Sequence, residues 1–210
     1  MFRRLADIVL SSAGLVVLSP LFLVLAAMIR LEDGSPVFFR QSRVGRNGRW
    51  FSLWKFRSMR KTIDGPLITS GNDSRVTRVG KTLRKYKLDE LPQLWNVLIG
   101  DMSLIGPRPE VPPYVDEANE QWRRVLTVRP GVTDYASLLF RHEESLLAQA
   151  KDPERYYRDQ VLPRKLALSI EYIEGRSAMA DVRLVLMTVR SSFLPTELDP
   201  VAIRRAVLGK

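Results

Sequence analysis

The chain has no cysteine and a single histidine, His142, among its 210 residues. Without cysteine there is no disulfide framework and no thiolate metal site, a composition that suits a reducing compartment. One histidine leaves a histidine zinc centre or a Ser-His-Asp triad poorly supported. A catalytic base or nucleophile must therefore be sought among the carboxylates. Internal repeats and low-complexity tracts are also missing. Acidic residues are scarce relative to basic ones, 23 Asp and Glu against 33 Lys and Arg, for a formal charge of +10. Such an excess suits nucleic acid, anionic lipid headgroups or a polyanionic small substrate. The length fits one domain, or one domain plus a membrane anchor, and is enough to bury a core.

Charge is almost absent from one stretch. Between Leu5 and Ile29 the only ionisable residue is Asp7, with Arg3 and Arg4 before the segment and Arg30 after it. About 20 apolar residues can cross a bilayer as a helix. A signal peptide has a similar layout, but no small-x-small cleavage pattern precedes Glu32. Ser19-Pro20 interrupts the run near its middle. Proline removes a backbone donor and clashes with the carbonyl four residues earlier, bending a helix, and a nearby serine hydroxyl can satisfy part of the freed backbone. Arginines at both ends favour keeping both ends on the cytoplasmic side. On these residues a kinked span and a re-entrant hairpin both stand.

Beyond residue 30, Pro36 to Arg40 and Arg49 to Phe56 read as strands joined by a turn at Gly45-Arg46-Asn47-Gly48. The hairpin carries a basic rim in which Trp50, Phe51, Trp54 and Phe56 alternate with cations, an arrangement found at membrane-facing or ligand-facing surfaces. Residues 62–74 read as a loop, with a helix cap at Asp73-Ser74 or Thr77. Helices are expected over 78–87, 90–99, 112–127, 142–150, 153–174 and 178–192. Pro92 falls in the first turn of the second, which would place Asp89 and Glu90 at its N-terminus. The last two carry aliphatics at helical spacing: Leu162, Leu166, Ile170 and Ile173, then Val182, Val185, Leu186 and Val189. Core packing is the expected role for most of these, with a helix lying flat on a membrane as the alternative.

The richest stretch is Lys81 to Glu110. It places Arg84, Lys85 and Lys87 just before the adjacent carboxylates Asp89 and Glu90, and fixes Arg108 between Pro107 and Pro109. Cations that hold anionic oxygens, beside acids that serve as metal ligand, base or nucleophile, are the parts phosphoryl transfer needs. An ordinary acidic helix cap and a rigid turn with a solvated arginine would account for the same residues one at a time.

Taken in order, SP at 19–20, PVFFRQSRVGRNGRWFSLWKFRSM at 36–59, SRVTRVGKTLRKYKLDELPQLWNVLIGDMSLIGPRPE at 74–110 and RPGVT at 129–133 resemble the bacterial sugar transferases, in particular the small monotopic phosphoglycosyl transferases. The resemblance implies transfer of a sugar phosphate from a UDP-sugar to polyprenyl (undecaprenyl) phosphate, with release of UMP. Asp89 would be the nucleophile, forming a phosphosugar-aspartyl intermediate in a ping-pong cycle. Glu90 would help hold Mg²⁺ or the leaving phosphate, so that Asp89 and Glu90 are the metal candidates. Lys55, Arg57, Arg84, Arg108 and Arg141 would bind phosphate or nucleotide. Ser19 and Pro20 would break a re-entrant helix and return it to the cytoplasmic face of a bacterial inner membrane. After Thr133 the chain reads DYASLLFRHEE, where many members carry a Gly-Trp-Ala-Gln-like run, which puts the sugar in question but not the chemistry at Asp89. The single apolar segment matches the small type rather than members with four additional membrane helices.

The fold expected is α-rich α+β. It comprises a re-entrant helix over 1–30, a catalytic domain over 31–192 with interfacial amphipathic helices and a small hairpin around a membrane-surface site, and a basic tail over 193–210. Mg²⁺ is the expected cofactor. UDP-sugar, polyprenyl phosphate and a phospholipid membrane are the expected partners, nucleic acid is not, and a homo-oligomer is compatible. Three rivals remain: a transferase whose substrates meet directly with Asp89 as base, a non-catalytic membrane scaffold, and a membrane-tethered nucleic-acid binder.

Overall fold

A computed structural model describes residues 2–60 and 73–193. Positions 62–72 of the expected loop and the C-terminal tail from 194 lie outside the described residues. The rest is helix-rich with two small sheets, in keeping with an α+β class.

The apolar segment forms two helices, α1 (Phe2–Val17) and α2 (Ser19–Asp33), bent by 59° where they meet. Pro20 lies in the first turn of α2, where its missing N–H falls among amides that have no partner within that helix in any case. The Ser19 hydroxyl donates to Val16 O at 2.7 Å, the carbonyl that Pro20 cannot serve. Helices of 16 and 15 residues extend only about 24 and 22 Å, short of a hydrocarbon core of about 30 Å. No single helix among the described residues is long and apolar enough to cross a membrane; the bent pair together has the length and composition of a broken span or a re-entrant loop. Leu10, Val16, Val17, Leu23 and Val24 all face outward, each more than half exposed.

The few charges at the start of α1 are structural. Arg4 donates to Val97 O and Leu98 O, carbonyls near the end of α4 (Gln93–Ile99), at 2.6 and 2.8 Å, completing that helix terminus. Asp7, the lone acid of the segment, is buried and accepts hydrogen bonds from Ser103 Oγ and Leu104 N, both at 2.9 Å. Arg3 pairs with Asp181. On α2, Leu25 and Ile29 pack with Phe56 and Leu83. Glu32 accepts from Arg78 N and Val79 N, and Thr77 Oγ1 from Gly80 N. Two side chains thus cap α3 (Arg78–Lys85), with Thr77 the N-cap residue of the two sequence candidates.

The hairpin pairs β1 (Phe38–Val44) with β2 (Trp50–Phe56) in antiparallel register, from Phe38↔Phe56 to Val44↔Trp50. β1 begins two residues later than expected, past Pro36, and runs four residues further. The outer edge of β2 is closed by a side chain: fully buried Asn96 accepts from Trp54 N at 3.0 Å and donates to Ser52 O at 2.8 Å.

A second sheet was not anticipated. β3 (Ser103–Ile105) lies parallel to β4 (Gly131–Thr133). The backbones touch just beyond: a Cβ on Gly131 would stand 2.1 Å from Gly106 N, and one on Gly106 2.5 Å from Arg129 O. Only glycine fits at either position. The contact sets the Gly106-Pro107-Arg108-Pro109 loop against the Arg129-Pro130-Gly131 turn.

The helix expected over 112–127 is instead a single 3₁₀ turn at Pro112–Tyr114 and a short α5 (Glu120–Val125). Asp116 and Asn119 break it, since their side chains take the amides of Ala118 and Gln121. The segment after β4 gives two short helices, α6 (Tyr135–Leu139) and α7 (Glu143–Leu147). α8 (Pro153–Tyr156) then passes through a wide π-helical turn (Tyr157–Val161) into α9 (Leu162–Gly175), followed by α10 (Ala178–Phe193). Leu162 and Leu166 are buried with Trp122, Val125 and Tyr157, and Ile170 and Ile173 pack against them, as expected. In α10 the expectation of core packing is corrected. Ala180 and Leu184 enter the core, whereas Val182, Val185, Leu186 and Val189 face outward.

Candidate active site

The two carboxylates are carried by a 3₁₀ turn, Leu88–Glu90, rather than by the first turn of α4 as the sequence reading placed them. The turn is held from both sides. α3 ends before it, and Lys87 takes a left-handed conformation at its start (φ 57°). Leu88 and Leu91 pack against the α2–β2 core. The turn faces a cleft of about 970 Å³ lined by both strands of the hairpin, the loop after Gly106, and α6, α7 and α10.

Asp89 and Glu90 are adjacent but electrostatically opposite. Glu90 receives both terminal nitrogens of Arg108, one at 3.0 Å and the other in a shorter contact, and Lys55 Nζ at 3.3 Å. Burial works against its charge, but Arg108 and Lys55 outweigh it and hold the carboxyl well below the usual range. The pairing raises the Arg108 pKa in turn, while burial lowers that of Lys55 despite Glu90. Asp89 is only 5 % exposed, and its Oδ1 has no hydrogen-bond partner among the described residues. Burial, reinforced by the charge of Glu90, pushes its pKa up.

All five expected phosphate-binding cations line the cleft. Lys55 and Arg108 meet at Glu90. Arg84 donates to Glu144 of α7 at 2.5 Å. Arg141 donates to Ser191 of α10 at 2.6 Å. Arg57 is turned from the dyad: it donates to Asp33 O and Gly34 O at 2.7 and 2.8 Å and pairs with the Asp33 carboxylate, tying the end of α2 to β2.

A second buried cluster forms another part of the cleft lining, and sequence reasoning missed it. Glu110 accepts from Tyr157 in a short contact, from Lys165 Nζ at 3.3 Å, and pairs with Arg43 at 3.7 Å. Lys165 also reaches Tyr157 Oη at 3.2 Å and Glu143 at 3.0 Å. Lys165 and Arg43 outweigh burial and depress the Glu110 pKa; burial and the carboxylate raise that of Tyr157. Glu110 closes the GPRPE block, the one hint the sequence offers. Nothing in the apolar pattern of 153–174 marks Tyr157 or Lys165 as its partners, although a π-helical turn is a frequent companion of functional positions.

Among the described residues no group of three or more Asp, Glu or His gathers to hold a metal by itself. Magnesium needs fewer, because it is usually bound by one or two carboxylates and completed by substrate phosphates and water. The unpartnered Oδ1 of Asp89 fits that role. Both oxygens of Glu90 are already engaged by Arg108 and Lys55, so Glu90 would have to release a cation to become a ligand.

The family profile described as bacterial sugar transferase matches residues 1–195. The chain belongs to that family. The match takes in the bent helix pair and the dyad turn alike. Similar curated proteins include a UDP-glucose:undecaprenyl-phosphate glucose-1-phosphate transferase of Klebsiella pneumoniae, 36% identical over 92% of this chain and 40% of that protein. A UDP-N-acetylgalactosamine-undecaprenyl-phosphate N-acetylgalactosaminephosphotransferase of Aeromonas hydrophila is 38% identical over 90% of this chain and 43% of its own length. An uncharacterised sugar transferase, EpsL, of Bacillus subtilis is 35% identical over 90% of this chain and 85% of its own length. The chain thus spans about two fifths of the first two family members and most of the third.

Proposed function

We propose that this protein transfers a sugar phosphate from a UDP-sugar to a polyprenyl phosphate such as undecaprenyl phosphate, releasing UMP, at the cytoplasmic face of a bacterial cell membrane. The observation that carries the reading is the unpartnered oxygen of buried Asp89 in a cleft ringed by cations, which supports attack on an anionic phosphorus. The activities for which the Klebsiella and Aeromonas relatives are named supply the substrate classes. The outward apolar residues of α1, α2 and α10 support a membrane-surface position, with the bend at Ser19-Pro20 returning the chain to the face it entered.

In this reading the Asp89 carboxylate attacks the phosphorus that bears the sugar. A bond forms from its oxygen to phosphorus, and the bond from phosphorus to the bridging oxygen breaks. UMP leaves with that electron pair. An oxygen of the polyprenyl phosphate then attacks the same phosphorus, the aspartyl–phosphorus bond breaks, and the carboxylate returns. Both displacements use anionic nucleophiles, so no proton need be moved from either. Glu90 holds Arg108 and Lys55 at the reacting centre, where they neutralise charge on the phosphoryl oxygens. Arg84 and Arg141 serve the rest of the diphosphate or the nucleotide. Asp89, with Glu90 only after release of a cation, would hold Mg²⁺, which when bound offsets diphosphate charge.

A carboxyl whose burial raises its proton affinity also suits a second mechanism, in which Asp89 takes the remaining proton of a singly ionised polyprenyl phosphate as that substrate attacks the UDP-sugar directly. A single experiment tests function and route together. UMP release is followed with a panel of UDP-sugars in the presence of Mg²⁺, first without lipid acceptor and then with undecaprenyl phosphate. Covalent transfer gives a burst of about one UMP per enzyme before acceptor is added, and a trappable phosphosugar adduct. Turnover with neither burst nor adduct assigns Asp89 to the base role. No UMP from any donor, in folded membrane-inserted protein, overturns the reading.

A further inference from the structure

Three of the cations that line the cleft already have anionic partners. Lys55 and Arg108 share Glu90, and Arg84 takes Glu144. An incoming diphosphate therefore meets guanidinium and ammonium groups that must first loosen from carboxylates. Lys87 differs. It lines the same cleft, two residues before Asp89, and its side chain has no hydrogen-bond or ion-pair partner among the described residues. It is part-buried, so the ammonium is not dispersed in bulk solvent, and its charge acts on both Asp89 and Glu90.

The backbone adds an independent observation. α3 ends at Lys85, Tyr86 follows as the cap, and Lys87 occupies the next position with φ 57° and ψ 23°. Left-handed residues just past a helix end are usually glycine or asparagine, because other side chains crowd the backbone there. Lysine is a poor choice for turning the chain. Positive charge near a helix C-terminus brings some benefit, but Lys85 and Arg84 already supply it from the last turn. A strained position held by an unfavourable residue beside a reacting group points to function more than to folding.

We propose that Lys87 is a further phosphate-binding residue of this site, the uncommitted cation that meets the diphosphate of the sugar nucleotide beside Asp89. The inference rests on the transferase reading. It divides the labour in the cleft: Lys87 captures the anion at once, and the cations paired to Glu90 are recruited as negative charge arrives. A charge-assisted contact of this kind discriminates by about tenfold or more when lost.

The test compares Lys87→Asn, Lys87→Gly and Lys87→Arg with wild type, and uses Lys81→Asn on the exposed face of α3 as the control for net charge. Asparagine and glycine both suit the left-handed backbone, so neither variant should melt below wild type. The readouts are KM and kcat for UMP release, and binding of inorganic pyrophosphate by calorimetry. For Asn and Gly we expect KM for the UDP-sugar to rise and pyrophosphate affinity to fall about tenfold, with kcat changed less than about threefold. The Arg variant should recover most of the loss, and Lys81→Asn should change neither quantity. Unchanged KM and pyrophosphate affinity in Lys87→Asn, with wild type turning over normally, overturn the role of Lys87 and leave the transferase reading intact. If wild type releases no UMP but binds pyrophosphate in a Lys87-dependent way, the anion site stands and the transferase reading falls. If wild type neither turns over nor binds pyrophosphate, both fall.

Discussion

Two buried charge clusters line one cleft, and they are built on opposite terms. Around Glu110, one carboxylate meets Tyr157, Lys165 and Arg43, while Lys165 goes on to Glu143. Around the dyad, Glu90 is saturated by Arg108 and Lys55, but Asp89 beside it is left with a bare oxygen. Burying a carboxylate without a partner is costly, and burying one inside a satisfied network is much less so. The Glu110 cluster joins the loop after Gly106 to α7 and to the helices at the C-terminal end. It bears the marks of scaffold. Asp89 bears the mark of a group kept ready for something that is not part of the fold.

The largest effect should come from removing that readiness. Asp89→Asn is expected to reduce UMP release on the order of 10³-fold or more, the range seen when a nucleophile is deleted. Its melting temperature should equal or exceed that of wild type, because a buried carboxylate with a bare oxygen, only partly compensated by nearby cations, is replaced by a neutral group of the same shape. Near-normal turnover, or a marked loss of stability, would erase the distinction between the two clusters.

The opposite pattern is expected at the other cluster. Lys165→Met strips Glu110 and Glu143 of their shared ammonium and should destabilise the fold by about 3–5 kcal/mol, measured by denaturant unfolding. Activity per folded molecule should fall far less than in Asp89→Asn. Exchanging Glu110 for Leu in the same chain should restore part of the stability, since the buried carboxylate left short of its ammonium is then gone, although Arg43 loses its partner there. If the double variant is no better than the single one, the cluster is not the closed network its distances describe.

A purely steric change should rank next. Gly131→Ala would place a methyl group 2.1 Å from Gly106 N. Forcing β3 and β4 apart at that point should cost at least about 2 kcal/mol, at the upper end of overpacking effects. Because the loop bearing Arg108 follows directly, the variant should also raise KM for the UDP-sugar. A neutral outcome would mean that the loop is positioned by the Glu110 cluster alone.

These contrasts also explain what could be read in advance. The dyad, Arg108 between its prolines and the break at Ser19-Pro20 are short-range features whose chemistry lies in neighbouring residues. The hairpin follows from local alternation and a Gly-rich turn. The Glu110–Lys165 pair joins residues 55 apart, and no local pattern announces it. The β3–β4 contact needs two glycines, Gly106 and Gly131, far apart in the chain and each unremarkable alone. The helix expected over 112–127 failed because Asp116 and Asn119 spend their side chains on backbone amides. In α10 periodicity gave the helix correctly but could not tell a face turned to the core from one turned outward.

The finest comparison is between the two carboxylates of the dyad, and pH separates them. For Glu90 the folded-state pKa is depressed, so its stabilising effect is present above the unfolded-state value and lost as pH falls through the depressed one. For Asp89 the folded-state pKa is raised, so the folded protein binds this proton more tightly than the unfolded chain does. The cost of its charge is therefore greatest above the raised value, declines as pH falls through it, and vanishes below the ordinary aspartate range, where both states are protonated. The asparagine side chain of the Asp89→Asn variant does not titrate, whereas Glu90 and Glu110 titrate in both proteins and largely cancel in the difference. The melting temperature of Asp89→Asn minus that of wild type, with chelator present to exclude metal, should be largest at neutral pH and shrink steadily towards acid. Because wild-type stability should change only by the worth of one partly compensated charge, the expected shift is a few degrees at most for a chain of this size. A difference that stays constant with pH would mean that Asp89 carries no uncompensated charge in the fold.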